Sequence, residues 1–160
     1  MKLLAIDPSI NSLGWAIFDD EKLVRSGVLL SSADDKRNPS LEDRMSTMIR
    51  RLDAVCQEEF LDTVIIEQPQ SWGAYKSVAS THSGSLLILH IFVGALWAWG
   101  FTLGIGDRGA KLIKVHTWKG QIPKTLTYKR VVELYGGSPQ KYDESDAIGL
   151  GTWYIQHGKE

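Results

Sequence analysis

KLLAIDPSINSLGWAIF, residues 2–18, decides how the chain is built. Lys2 to Asp7 form a short apolar run that ends in an acid, the pattern of a buried strand. Pro8, Ser9, Asn11 and Ser12 are turn formers. Residues 14–18, GWAIF, resume as a second strand, and DDEK at 19–22 makes the next turn. LVRSGVLL, residues 23–30, supplies a third strand. Three strands joined by short turns make an antiparallel meander. The opening apolar run is too short for a signal peptide and has no small-residue cleavage site. It is expected to be a strand.

Strand and helix patterns alternate from there. Ser40 reads as an N-cap, with Glu42 and Asp43 in the first turn. Met45, Met48, Ile49, Leu52, Val55 and Phe60 follow at helical spacing, which predicts one buried face. Asp62-Thr63 ends that helix, and VIIE, residues 64–67, is a β-branched central strand. From Leu86 to Phe101 the chain is apolar all round, interrupted only by His90 and Gly94, which predicts a buried helix starting at about Ser83. It falls short of the ~20 residues that span a bilayer, so no membrane association is expected. In a chain of this size such a helix also suits a dimer interface. LIKVHT, residues 112–117, reads as a fifth strand. Residues 125–135 read as a helix stopped by Gly136-Gly137, and Asp143 opens a last helix running to Gln156. The order β-β-β-α-β-α-β-α-α predicts one α/β domain over residues 1–160. Its sheet has five strands, three antiparallel and then two parallel, with helices on both faces.

The 160 residues, 43% of them hydrophobic, are enough for one domain with a real core. A single cysteine, Cys56, excludes an internal disulfide and fits a reducing cytoplasm, bacterial or that of a phage-infected host. It should be a buried structural thiol, and His90 a buried, hydrogen-bonded histidine. Net charge is −1, but residues 108–130 hold Arg108, Lys111, Lys114, Lys119, Lys124, Lys129 and Arg130 and no acid, so the rest of the chain sums to −8. Such asymmetry points to a basic surface beside an acidic site. The plainer alternative is a set of solvated lysines.

The acids carry the chemistry. Asp7 ends the first strand and Glu67 the fourth. If those strands are parallel neighbours, both acids leave the sheet at its carboxyl edge, where open α/β sheets place their sites. Asp143 and Asp146 are one helical turn apart and share a face. Taken singly, Asp7 is a turn residue, and Asp143 and Asp146 are a helix cap and a first-turn acid. Glu67 is harder to dismiss, because a charge after Val-Ile-Ile lies near the core. Four converging carboxylates repel unless a cation joins them. Magnesium or manganese suits such oxygen ligands. Two such ions ~3.5–4 Å apart activate water and stabilise the leaving oxygen of a phosphodiester.

IDPS with Gly-Trp seven residues after Asp7, VIIEQP, and DESDAI together resemble the RuvC-type Holliday-junction resolvases of the RNase H-like superfamily. The resemblance covers nearly the whole chain. It implies that Asp7, Glu67, Asp143 and Asp146 are metal-binding catalytic residues holding two magnesium or manganese ions. It also implies a homodimer that nicks two opposing strands of a four-way DNA junction. Two departures stand out. Ser9 replaces the glycine of the usual D-P-G turn, and Gln70 stands where many relatives carry a phenylalanine wedge. Trp72 and Tyr75 are the nearest aromatics for that role. WKGQIPK, residues 118–124, resembles shorter phage-type members.

The basic segment would hold the phosphates, a sequence-independent and salt-sensitive attraction. Lys119 and Lys124 flank Gly-Gln-Ile-Pro, and one of them is expected at the scissile phosphate. Trp72, Tyr75 and Lys76 are candidate DNA contacts on a polar loop. Lys111, Lys114, Lys129 and Arg130 are candidate contacts within the basic segment. His82 and His116 lack metal-ligand spacing. The competing readings are an RNase H-like nuclease on flaps, forks or RNA–DNA hybrids, a non-catalytic junction-binding protein, and half of an actin-like kinase, whose two-domain fold 160 residues do not supply.

Overall fold

The computed structural model describes residues 1–31, 39–70, 84–105 and 109–158. Trp72, Tyr75, Lys76, His82 and Arg108 lie outside the described residues. Strands β1 (Lys2–Asp7), β2 (Ser12–Asp19), β3 (Lys22–Leu30), β4 (Thr63–Gln68) and β5 (Ala110–Lys114) form one sheet in the order β3-β2-β1-β4-β5. β1–β2 and β2–β3 are antiparallel, while β1–β4 and β4–β5 are parallel. This is the expected mixed sheet, with β1, buried along all but its first residue, at the centre and β4 beside it. Among the described residues the helices are α1 (Leu41–Cys56), α2 (Ser85–Thr102), α3 (Val115–Trp118), α4 (Lys124–Tyr135) and α5 (Tyr142–His157).

Strand alternation divides the core in two. Leu4, Ile6, Leu13, Trp15, Ile17, Val64 and Ile66 face one way, onto Met48 and Leu52 of α1 and Phe92, Val93 and Leu96 of α2. Leu3, Ala5, Ala16, Phe18 and Ile65 face the other, onto Val131 of α4 and Ala147, Ile148, Leu150 and Tyr154 of α5. α1 starts as the sequence predicts. Asp43 N donates to Ser40 Oγ at 3.1 Å and Ser40 N to Asp43 Oδ2 at 3.3 Å, a reciprocal cap. Cys56 is buried, and burial above all pushes its thiol up to about 12.

Four expectations are corrected. β5 covers residues 110–114 and not 112–117, and Val115–Trp118 turn into a short helix. Val115 and Thr117 favour a strand by propensity, but β4 ends at Gln68, paired with Lys114, and Pro69 follows. No partner backbone remains to extend the ladder. Phe60 is not on the buried face of α1. The helix stops at Cys56, a tight turn follows, Leu61 packs on the core, and Phe60 is 94% exposed. α2 is buried on one side only, since the sheet covers no more. Phe92, Val93, Leu96 and Trp99 are inside, whereas Leu87, Ile91, Trp97 and Phe101 are exposed. By length and composition alone this 18-residue helix could cross a membrane, and 28% of it is buried in this chain. His90 is exposed on that helix and bonds to the Leu86 carbonyl.

α5 lies close against the sheet because glycine faces it. A Cβ on Gly151 would stand 2.2 Å from Phe18 Cε2, and Phe18 is fully buried. Gly151→Ala should therefore lower the unfolding free energy by about 1–3 kcal/mol, measured as a lower urea midpoint with unchanged slope.

Candidate active site

Parallel pairing sets Ile6 beside Ile66. The next residues, Asp7 and Glu67, therefore leave neighbouring strand ends together. By alternation they share the sheet face of Ala5 and Ile65, the face that α5 covers. α5 brings Asp143 and Asp146 over the same edge. Its N-cap residue is Lys141, so Asp143 is a first-turn acid and not the expected cap. The helix dipole favours acids there. Gly14, opposite Asp7 on β2, makes the approach possible. A Cβ at Gly14 would stand 1.9 Å from the Asp143 carbonyl oxygen.

The four carboxylates feel one another. Asp7 is buried, and its carboxyl is held well above the usual range, first by burial and then by repulsion from Glu67 and Asp146. Glu67 is raised by burial and by Asp146, against the opposing pull of Lys119, the Trp118 hydrogen bond and Lys124. Two lysines stand among the acids. Lys119, 8% exposed, places Nζ 2.5 Å from Asp146 Oδ1. Lys124 Nζ lies 3.5 Å from Asp143 Oδ1 and 3.4 Å from Asp146 Oδ2. Burial works against the charge of Lys124, but attraction from Asp7, Asp146 and Asp143 outweighs it and raises its pKa.

Neutral groups orient the acids. Trp118 Nε1 donates to Glu67 Oε2 at 2.9 Å, and Ser12 Oγ donates to Asp143 Oδ2 at 2.6 Å. Glu144, buried between the two aspartates, accepts from Ser26 Oγ at 2.7 Å and from Gln140 N at 2.6 Å. It ties the start of α5 to β3 and to the turn before it. Sequence reading singled out none of Ser12, Ser26, Trp118 and Glu144 for these roles. Only Gly14, half of the Gly-Trp pair, carried a signal.

Among the described residues no three acid, imidazole or thiol groups enclose a ready-made metal cage as they stand. The donor set nonetheless fits a hard divalent cation. It is all carboxylate, and Asp7 and Glu67 are raised first by burial and then by their acidic neighbours, a setting in which a bound cation would favour the charged forms.

The other candidate residues are spread over the neighbouring elements. Lys114 is exposed at the end of β5, level with Gln68 beside the acids, and Lys129 and Arg130 are exposed on α4. Lys111 is set apart. It pairs with Ile65, two positions back from Glu67, and its Nζ donates to Tyr154 Oη at 2.7 Å. His116 is exposed and bonds to Gln70.

The sheet and its helices are those of the RNase H-like class, in the RuvC-type arrangement. Thermus thermophilus RuvC, solved in complex with a Holliday junction substrate, is similar over 99% of this chain and 96% of that one, at TM-score 0.73 and 17% identity. The yeast mitochondrial Holliday junction resolvase Ydc2 is similar over 96% of this chain and 77% of its own, at 0.62 and 12% identity. Fowlpox virus resolvase, solved with substrate Holliday junction DNA, is similar over 100% of both chains, at 0.54 and 15% identity. No family model and no curated protein sequence matches the chain. The likeness is one of fold, and it bears out the expected RNase H-like sheet.

The burial of Asp7, with the repulsion around it, yields a signed prediction. A carboxyl raised in the folded state costs stability as pH climbs past its unfolded value, and the cost is complete above its folded value. Asp7→Asn removes that cost. The variant should be more stable than the parent at pH 8, and its advantage should shrink steadily toward pH 4, as read by thermal melts across that range in metal-free buffer.

Proposed function

We propose that this chain is a divalent-metal-dependent endodeoxyribonuclease that resolves four-way DNA junctions by paired symmetric nicks. The observation that carries the reading is the meeting of Asp7, Glu67, Asp143 and Asp146, from three separate segments, at one sheet edge with Lys119 and Lys124 among them. The similar folds of RuvC and fowlpox virus resolvase, both solved with Holliday junction DNA, support the choice of substrate.

Asp7, Glu67, Asp143 and Asp146 would hold magnesium or manganese, two ions per site, and these supply activation of water and stabilisation of the leaving oxygen. The chain's own groups prepare the site. Trp118 and Ser12 fix the directions of Glu67 and Asp143. Lys119 is buried on Asp146 and screens it. Lys124 is half exposed at the mouth, where its Nζ can donate to a substrate phosphate oxygen. Exposed Lys114, Lys129 and Arg130 extend the cationic surface along which the DNA backbone would run.

Two cuts on opposing strands call for two copies. The outer face of α2 supplies the contact. Leu87, Ile91 and Phe101 are exposed, no Asp, Glu, Lys or Arg occurs in the helix, and a Cβ at Gly94 would meet nothing within 4 Å. A second copy of the chain, seated on this face about a twofold axis, would present two equivalent sites.

A labelled four-way junction, a fork and an RNA–DNA hybrid, each incubated with and without magnesium, test the activity. Symmetric paired cuts on the junction, absent when metal is chelated, are expected. Asp146→Asn should cut about 100-fold or more slowly while still binding the junction. An unchanged rate in that variant removes the assignment, and cutting confined to the hybrid or fork replaces the substrate. Sedimentation should give twice the 17.9 kDa chain mass for the parent and a single chain for Ile91→Glu. A monomeric parent rejects the α2 pairing.

A further inference from the structure

Beside the acids, a cleft of about 460 Å³ opens between the starts of α4 and α5, lined by Lys124, Tyr128, Gln140, Lys141, Tyr142 and Asp143. Lys124 and Asp143 belong both to this cleft and to the acid cluster. Its volume is in the range of small-ligand sites. Tyr128 and Tyr142 meet edge to face, with ring centroids 5.9 Å apart and planes at 79°. Tyr142 is nonetheless 47% exposed. A ring held in place by another and half open to solvent is a stacking platform. The cleft also attracts anions. Lys124 and Lys141 bring two cations against the one carboxylate of Asp143, and neither N-cap residue, Pro123 or Lys141, provides a side-chain hydrogen bond to its helix. Both helix starts therefore offer backbone N–H groups and a positive dipole end. Gln140 adds a carboxamide, which carries both donors and an acceptor.

We propose that this cleft holds one nucleobase of the strand being cut, unstacked next to the scissile phosphate. The base lies on Tyr142, within reach of Gln140, and its phosphate lies between Lys124 and Lys141. The proposal rests on the junction-nuclease reading and adds to it a base-recognition subsite. An aromatic plane accepts every base, whereas a carboxamide distinguishes among them by hydrogen bonding. Cutting would then depend on the identity of one base beside the nick.

Abasic scanning tests this. Four-way junctions carrying a single abasic position, moved stepwise through the nucleotides flanking the cut, are bound in calcium, so that affinity is read without cleavage. One position should weaken binding by the parent protein about tenfold. At that position Tyr142→Ala, already weakened on the intact junction, should lose nothing further, while Tyr142→Phe, which keeps the ring, should behave as the parent. Lys141→Gln should flatten the salt dependence of binding and leave the abasic penalty in place. If Tyr142→Ala shows the same abasic penalty as the parent, or no position shows any while the junction still binds, the subsite is rejected and the junction reading stands. If the parent binds no four-way junction, the junction reading fails and the subsite fails with it.

Discussion

Repulsion among carboxylates is the constraint the rest of the structure answers. Asp7 and Glu67 leave parallel neighbours side by side, and α5 sets Asp143 and Asp146 over them. Burial strips away the water that would separate such charges in solution. The chain relieves part of the strain with its own cations, for Lys119 pairs with Asp146 and Lys124 bridges Asp146 and Asp143. Burial first, and the remaining repulsion after it, still hold Asp7 and Glu67 protonated to a higher pH than free carboxyls. An arrangement selected for stability alone would place fewer acids here or pair each one. What remains is a site that would gain by taking up further positive charge, which a divalent ion would supply.

Holding that arrangement governs the packing of α5. Glycine is required where the helix meets β2, since a Cβ at Gly14 would collide with the Asp143 backbone and one at Gly151 with Phe18. Hydrogen bonds then fix the rotation of the helix start. Ser12 and Ser26 reach it from β2 and β3, and Glu144 answers Ser26 with one oxygen and Gln140 N with the other. Glu144 is a buried carboxylate met by neutral donors, a different solution from the lysine-paired Asp146 two residues on, which looks out from another face of the helix. The charge of the site is thus confined to the acids that face the sheet edge.

Most of the fold was legible because period-2 and helical patterns were clean, and turn residues separated them. The four acids were legible because their chain positions, at strand ends and one helical turn apart, are visible without coordinates. What was hidden depends on partners distant in sequence. Val115 and Thr117 look like strand residues until β4 is known to stop at Gln68. Phe60 fits the helix face until the turn after Cys56 is seen. Lys111 belongs to the basic run by composition, but its hydrogen bond to Tyr154, 43 residues on, holds it at the edge of the packed core. Ser12, Ser26 and Glu144 are ordinary residues whose roles exist only across the β2–β3–α5 contact.

The same alternation that gathers the acids also separates them from the apolar surface. Residues with the parity of Asp7 and Glu67 face α4 and α5, and those with the parity of Ile6 and Ile66 face α1 and α2. The charged edge and the exposed side of α2 therefore lie on opposite sides of one sheet. A helix of 18 residues without a charged side chain is costly to leave in water. Covering it with a second copy would remove that cost and leave Lys129 and Arg130 on α4, in the other layer, free. Assembly and DNA binding would then draw on separate faces, so a change in either could be made without the other. This separation follows from strand register alone.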